Sequence, residues 1–154
     1  MGQKDKIRLL IVDDHEMIRS GVKALLADTE IKVVAEAVTL QAAVKYALEH
    51  EVDVMLLDVR MPDGDGLTAL GRMKLDKPDL PILMFSNYDN PTYVGRAVAL
   101  GASGYLLKDC TRDELRPARP AGCCMIGSSR LFLWFVFSCF GIPGTILGRR
   151  SRDL

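Results

Sequence analysis

Cysteine is missing from the first 109 residues of this 154-residue chain; the four present are Cys110, Cys123, Cys124 and Cys139. They form no CxxC pair, and the two histidines, His15 and His50, lie far upstream. Zinc-site spacing is therefore absent, and the stretch that reads as a domain has no cysteine to staple it. Net charge is missing too, because 20 Lys and Arg balance 20 Asp and Glu. The bulk numbers give no pointer to nucleic acid. The opening MGQKDKIRLLIVDDHE has one six-residue apolar stretch, broken by Arg8, before acids intervene. It lacks the features of a secretory signal, so the cytoplasm is the expected compartment. No glycine-rich turn follows that stretch, which argues against a dinucleotide-binding domain.

The balance hides an asymmetry. Residues 1–110 carry 13 Lys and Arg against 17 Asp and Glu, whereas residues 111–154 carry 7 Arg, no Lys and 3 acids. The first segment alternates short apolar runs with amphipathic stretches. Ile7–Val12 reads as a buried strand ending in Asp13-Asp14, and His15–Asp28 as a helix. Lys32–Ala37 is a second strand, and Thr39 suits the cap of a second helix. Val52–Leu57 is a third strand, closed by Asp58. A turn-rich loop, Met61–Gly66, leads into a helix over Leu67–Leu75. Pro81–Phe85 is a fourth strand, Pro91 starts a helix running to about Leu100, and Tyr105–Leu107 is a short fifth strand. This succession predicts a parallel sheet with helices on both faces, where ligands bind beyond the carboxyl ends of the strands.

Four strands end in residues with chemistry: Asp13-Asp14, Asp58, Ser86 and Lys108. Parallel strands would bring these ends to one edge. Carboxylate oxygens suit Mg²⁺ or Mn²⁺. Asp58 could act as a nucleophile toward phosphorus, with the metal offsetting charge repulsion. Lys108 could pair with a phosphoryl group, and Ser86 could donate a hydroxyl hydrogen bond to it. Each residue alone has an ordinary explanation as a cap, loop or surface group; their joint placement carries the argument. His15 reads as a helix-start residue rather than a base. Asp63 and Asp65 lack the other ligands and closing Glu of a calcium loop.

The stretches IRLLIVDDHEMIRSGVKALL, VDVMLLDVRMPDGDGL, PILMFS and GASGYLLKD resemble the receiver domain of bacterial two-component response regulators. Within that family they look most like regulators whose output is a C-terminal helix-turn-helix. The resemblance implies a doubly wound, flavodoxin-like α/β fold with a five-stranded parallel sheet in the order 2-1-3-4-5. It implies Asp58 as the phosphoacceptor, and Asp13, Asp14, Asp58 and the Arg60 backbone carbonyl as metal ligands. Ser86 and Lys108 then contact the phosphoryl group, Tyr105 is the aromatic switch, and Pro62 and Gly66 shape the loop. The implied partners are a sensor histidine kinase or a small phosphodonor, with homodimerisation through the switched surface near residues 86–107. Slow self-dephosphorylation is implied as well.

The pattern departs from that family after Glu114. Pro117 and Pro120 fall where the last helix should run, so that helix is expected to be truncated or irregular. Residues 1–116 are read as the receiver and 117–154 as an atypical apolar tail. The run 131–147 is 17 residues long and divided by Gly141-Ile142-Pro143-Gly144, against about 20 residues for a membrane span. Membrane insertion is not the expectation. The abrupt change after DELR is what a shifted reading frame would produce. No helix-turn-helix follows, so DNA binding by this chain is not expected. Two other functions compete. A phosphate-free interaction module would have no need of the intact acid set, Ser86 and Lys108. A metal-dependent phosphatase with an aspartyl nucleophile would use the same acids, but no separate substrate cap is present.

Overall fold

The computed structural model describes residues 6–108. The first unit of the chain, Met1–Asp109, is compact. The expectations for the last helix and for the tail fall outside the described residues.

In chain order the elements are β1 (Ile7–Val12), α1 (Glu16–Leu26), β2 (Ile31–Ala37), α2 (Leu40–Glu49) and β3 (Val54–Asp58). A small hairpin follows, β4 (Arg60–Met61) and β5 (Gly64–Asp65), then α3 (Gly66–Asp76), β6 (Ile82–Ser86), α4 (Pro91–Ala99) and β7 (Gly104–Leu107). The main sheet has the order β2-β1-β3-β6-β7, with every pair parallel. This is the expected 2-1-3-4-5 order, β6 and β7 being its fourth and fifth strands.

The inner strands are apolar on both faces because both are covered. Leu9, Leu10 and Ile11 have no exposed surface, and the same near-complete burial holds for Met55, Leu56 and Leu57. Side chains alternate between faces along a strand. Leu10, Val12, Met55, Leu57, Ile82 and Met84 share one core cluster with Ala43 and Ala47 of α2, Leu67, Leu70 and Met73 of α3, and Ala97 of α4. Burying each large apolar side chain is worth about 1.5–3 kcal/mol. The edge strands β2 and β7 are only partly buried, and in β2 the exposed positions are the charged Lys32 and Glu36.

Local chemistry fixes the helix starts. The Thr39 hydroxyl accepts from the Ala42 N–H at 3.2 Å, and the Asn90 side chain accepts from Thr92 N–H at 2.9 Å ahead of Pro91. At the far end of α4, Gly101 N–H bonds to the Val98 carbonyl at 3.0 Å and Ala102 N–H to that of Ala97 at 2.9 Å. This Schellman-type closure needs φ of +91° at Gly101, which glycine adopts freely, and it turns the chain toward β7.

The turn-rich loop expected over 61–66 takes the form of a short hairpin, β4–β5. Met61 pairs with Gly64 and Arg60 with Asp65, leaving Pro62 and Asp63 as a two-residue tip. Proline presets the first central position of the turn and glycine suits its last. A ladder this short leaves no alternating pattern to read. Its two acids are helix caps: Asp65 accepts from the Leu67 N–H, starting α3, and Asp63 accepts from the N–H groups of Leu40 and Gln41, starting α2.

Candidate functional site

Strand register brings the chemical residues together. Val12 pairs with Leu57, Asp58 with Phe85, and Ser86 with Leu107. Asp13, Asp58, Ser86 and Lys108 therefore emerge on one sheet edge, and all four are buried. The Lys108 ammonium lies 2.5 Å from Asp13 Oδ2 and 2.7 Å from Asp58 Oδ2. Asp14 sits at the rim. One ligand atom from each of Asp13, Asp14, His15 and Asp58 lies within 4.8 Å of the others.

Burial pushes the Asp58 carboxyl up, because desolvation penalises the charged form. The Lys108 ammonium and the Arg60 N–H, 3.2 Å from Asp58 Oδ1, pull it back toward ionisation. The Asp58 carboxylate and the Lys108 ammonium are thus held in contact away from bulk water, where their charges act strongly. The oxygen-rich donor set fits a hard divalent cation. The residues that would hold one are Asp13, Asp14 and Asp58.

Gly66 shows why its position admits no side chain. Its N–H donates to the Val59 carbonyl at 2.8 Å, and a β-carbon placed there would lie 2.0 Å from the Asp58 carbonyl oxygen. Pro62 is exposed at the hairpin tip. It shapes the turn that directs Asp63 onto α2.

The other side of the site is organised by a residue not anticipated from sequence, Tyr88. Its N–H donates to the Ser86 hydroxyl at 3.0 Å, and its carbonyl accepts from the Tyr105 hydroxyl at 2.9 Å. The Arg60 guanidinium lies over the Tyr88 ring at 4.9 Å, and the Tyr93 ring is 5.8 Å from it. Tyr105 is half-buried, and that burial pushes its phenol up. Nothing in the spacing of Ser86, Tyr88 and Tyr105 announces this network, because two of its bonds use the Tyr88 backbone.

His15 stands at the N-cap of α1, in keeping with its reading as a helix-start residue, and its side chain makes no capping bond. The imidazole turns back to the acids, with Nδ1 at 3.1 Å from Asp13 Oδ1 and 3.0 Å from Asp14 Oδ1. Behind it, Arg19 donates to the Asp13 carbonyl at 2.8 Å and to Glu36 at 2.9 Å, tying the acidic turn to β2.

The profile of the response regulator receiver domain family matches residues 9–118. The chain belongs to that family. The receiver is 38% identical over 113 residues to the transcriptional regulatory protein DegU of Brevibacillus brevis, covering 73% of this chain and 48% of DegU. It is 39% identical over 114 residues to the probable transcriptional regulatory protein NarL of Mycobacterium tuberculosis, covering 73% and 53%. The solved signal receiver domain of the putative response regulator NarL from M. tuberculosis shares 37% identity and a TM-score of 0.63, over 68% of this chain and 86% of that one. The chain thus spans about half the length of the curated relatives it matches. Among the described residues, no helix is long and apolar enough to cross a membrane.

Proposed function

We propose that this receiver accepts a phosphoryl group on Asp58 and reshapes the surface near residues 86–107 in response. The observation that carries the reading is the contact of Lys108 with both Asp13 and Asp58, inside a set of carboxylates suited to a divalent cation. An oxygen of Asp58 attacks the donor phosphorus and forms the new P–O bond. The bond to the donor nitrogen or oxygen breaks, and the leaving group takes up a proton. The donor is a sensor histidine kinase or a small phosphodonor. Mg²⁺, with Mn²⁺ as substitute, would be held by Asp13, Asp14, Asp58 and the Arg60 carbonyl, and would neutralise charge on the phosphoryl oxygens.

Lys108 stays beside the modified residue as a fixed positive charge. Phosphorylation adds roughly −1.5 to −2 charges and strong acceptor oxygens. The Ser86 hydroxyl can turn to these oxygens by leaving the Tyr88 N–H, which frees the loop that also holds Tyr105. Pro62 and Gly66 keep the Asp58 backbone in place. The altered surface would serve homodimer formation or output, in the cytoplasm. DegU and NarL are named as transcriptional regulators; in this chain residues 1–116 would form the receiver, and 117–154 offer no DNA-reading motif.

The test is intact mass after incubation with a small phosphodonor, with and without Mg²⁺, beside Asp58→Ala. A single Mg²⁺-dependent phosphate adduct absent from the variant is expected. Folded protein that takes no phosphate would support an interaction module instead, and steady turnover of a phosphomonoester would support a phosphatase.

A further inference from the structure

We propose that Arg19 is a positioning residue for the divalent ion of this receiver, holding the Asp13–Asp14 turn in the shape that lets both carboxylates reach one ion. The inference rests on the metal-binding reading above and concerns a side chain outside the donor set.

Asp13 follows the last residue of β1 and so lies past the end of that strand. Its N–H still finds the Ala37 carbonyl, at 3.1 Å. Its own carbonyl accepts from Arg19 Nη1 at 2.8 Å. The peptide group that joins the two acids is therefore fixed by a side chain. Rotation of that group would swing Asp14 relative to Asp13. Mg²⁺ demands near-ideal octahedral geometry, with bonds of about 2.0–2.1 Å, so it tolerates little such movement.

Arg19 is itself anchored. Its Nε donates to Glu36 Oε2 at 2.9 Å, and Glu36 lies on β2, opposite Ile11 of β1. Lys23 takes the other Glu36 oxygen at 2.6 Å. Lys23 first, and Arg19 with it, hold the Glu36 carboxyl below its usual range against the effect of burial, so the anchor stays ionised. The Arg19 side chain is only 12% exposed, although arginine is mostly a surface residue. It stands in the opening turn of α1, where the helix dipole disfavours a cation, so the helix gives no reason for it. The planar fork of a guanidinium serves two acceptors at a fixed angle, which an ammonium does not. Two effects on the ion oppose each other: the charge of Arg19 repels it, and the bond to Asp13 orders its ligands. Glu36 in contact offsets the charge, so the ordering prevails.

The experiment is calorimetric titration of the full chain with Mg²⁺ and Mn²⁺, for the native protein, Arg19→Met, Arg19→Lys and Glu36→Gln, each checked for folding by circular dichroism. Arg19→Met should weaken Mg²⁺ binding about tenfold or more, the usual loss when a partner that orients a metal ligand is removed. Arg19→Lys keeps the charge without the fork and should weaken it to a similar degree. Adding Glu36→Gln to Arg19→Met should cost little more, because the two side chains act as one unit. Half-saturating Mg²⁺ for phosphate-adduct formation should rise by the same factor, with the rate approaching native in excess Mg²⁺; a merely destabilised fold would not give that split. Native affinity in Arg19→Met or Arg19→Lys would overturn the proposal and leave the metal site standing, as would tighter binding in Arg19→Met, the mark of charge repulsion. If Arg19→Met fails to fold, Arg19→Lys and Glu36→Gln decide by the same criterion. A native chain that binds neither ion would overturn the metal-binding reading, and this inference with it.

Discussion

Replacing Gly66 by alanine tests whether the backbone beneath Asp58 is held by steric contact. An ideal β-carbon at this position lies 2.0 Å from the Asp58 carbonyl oxygen, 3.0 Å from its carbon and 3.1 Å from the Val59 α-carbon. Carbon contacts are optimal near 3.5 Å, so the added methyl is about 1.5 Å too close to that oxygen. All three obstructing atoms are backbone, and no side chain can swing away. Overpacking of this kind costs about 1–3 kcal/mol. Moving Gly66 outward also stretches its bond to the Val59 carbonyl, worth about 1 kcal/mol. We expect Gly66→Ala to lose about 2–4 kcal/mol. Gly21 and Gly95 are internal controls, since they lie in α1 and α4 and an ideal β-carbon on either would meet nothing within 4 Å. Alanine there should gain about 0.5–1 kcal/mol from helix propensity. Urea unfolding of the three variants therefore tests opposite signs. Gly66 opens α3, so it too would gain if helix preference governed. A Gly66→Ala protein as stable as the native chain would refute the steric argument.

Asp58→Asn should raise stability near neutral pH. Burial holds the Asp58 carboxyl above its ordinary range, so the folded state binds its proton more tightly. The native chain loses stability as pH rises from the ordinary aspartate value to the raised one, and the gap from Asp58→Asn, read by thermal melts, should close on acidification. Asp63 has the opposite sign: the N–H groups of Leu40 and Gln41 hold it below the usual range. Its contribution is present above that range and is lost as pH falls through the lowered value, so Asp63→Ala should be weaker than native near neutrality and level with it in acid. Divalent ion at a hundred times its dissociation constant should stabilise the chain by about 2.7 kcal/mol, and a chelator should reverse this. A melting temperature indifferent to both would contradict a metal site at Asp13, Asp14 and Asp58.

The strands and their convergence were legible because buried parallel strands are written as solid apolar runs with abrupt polar ends. Val54–Asp58 and Ile82–Ser86 lie within two residues of the expected spans. The pairing of Lys108 with Asp58, 50 residues apart, followed once the strands were parallel. What stayed hidden depends on backbone groups or on direction. The two-residue strands of the hairpin are too short for a period, and Asp63 caps a helix 23 residues earlier in the chain. Tyr88 acts through its own N–H and carbonyl. His15 was placed at the helix start, yet sequence could not say which way its ring would turn.

The two sides of the site are held in different ways. On the β3 side, the Asp58 backbone is wedged against Gly66 at a distance that leaves no room for a side chain. On the β6–β7 side, the Ser86 and Tyr105 hydroxyls are joined through the backbone of an exposed residue, Tyr88. If Asp58 takes a phosphoryl group as proposed, the Gly66 side has no space in which to adjust, and the response would have to pass through the bonds that Tyr88 makes.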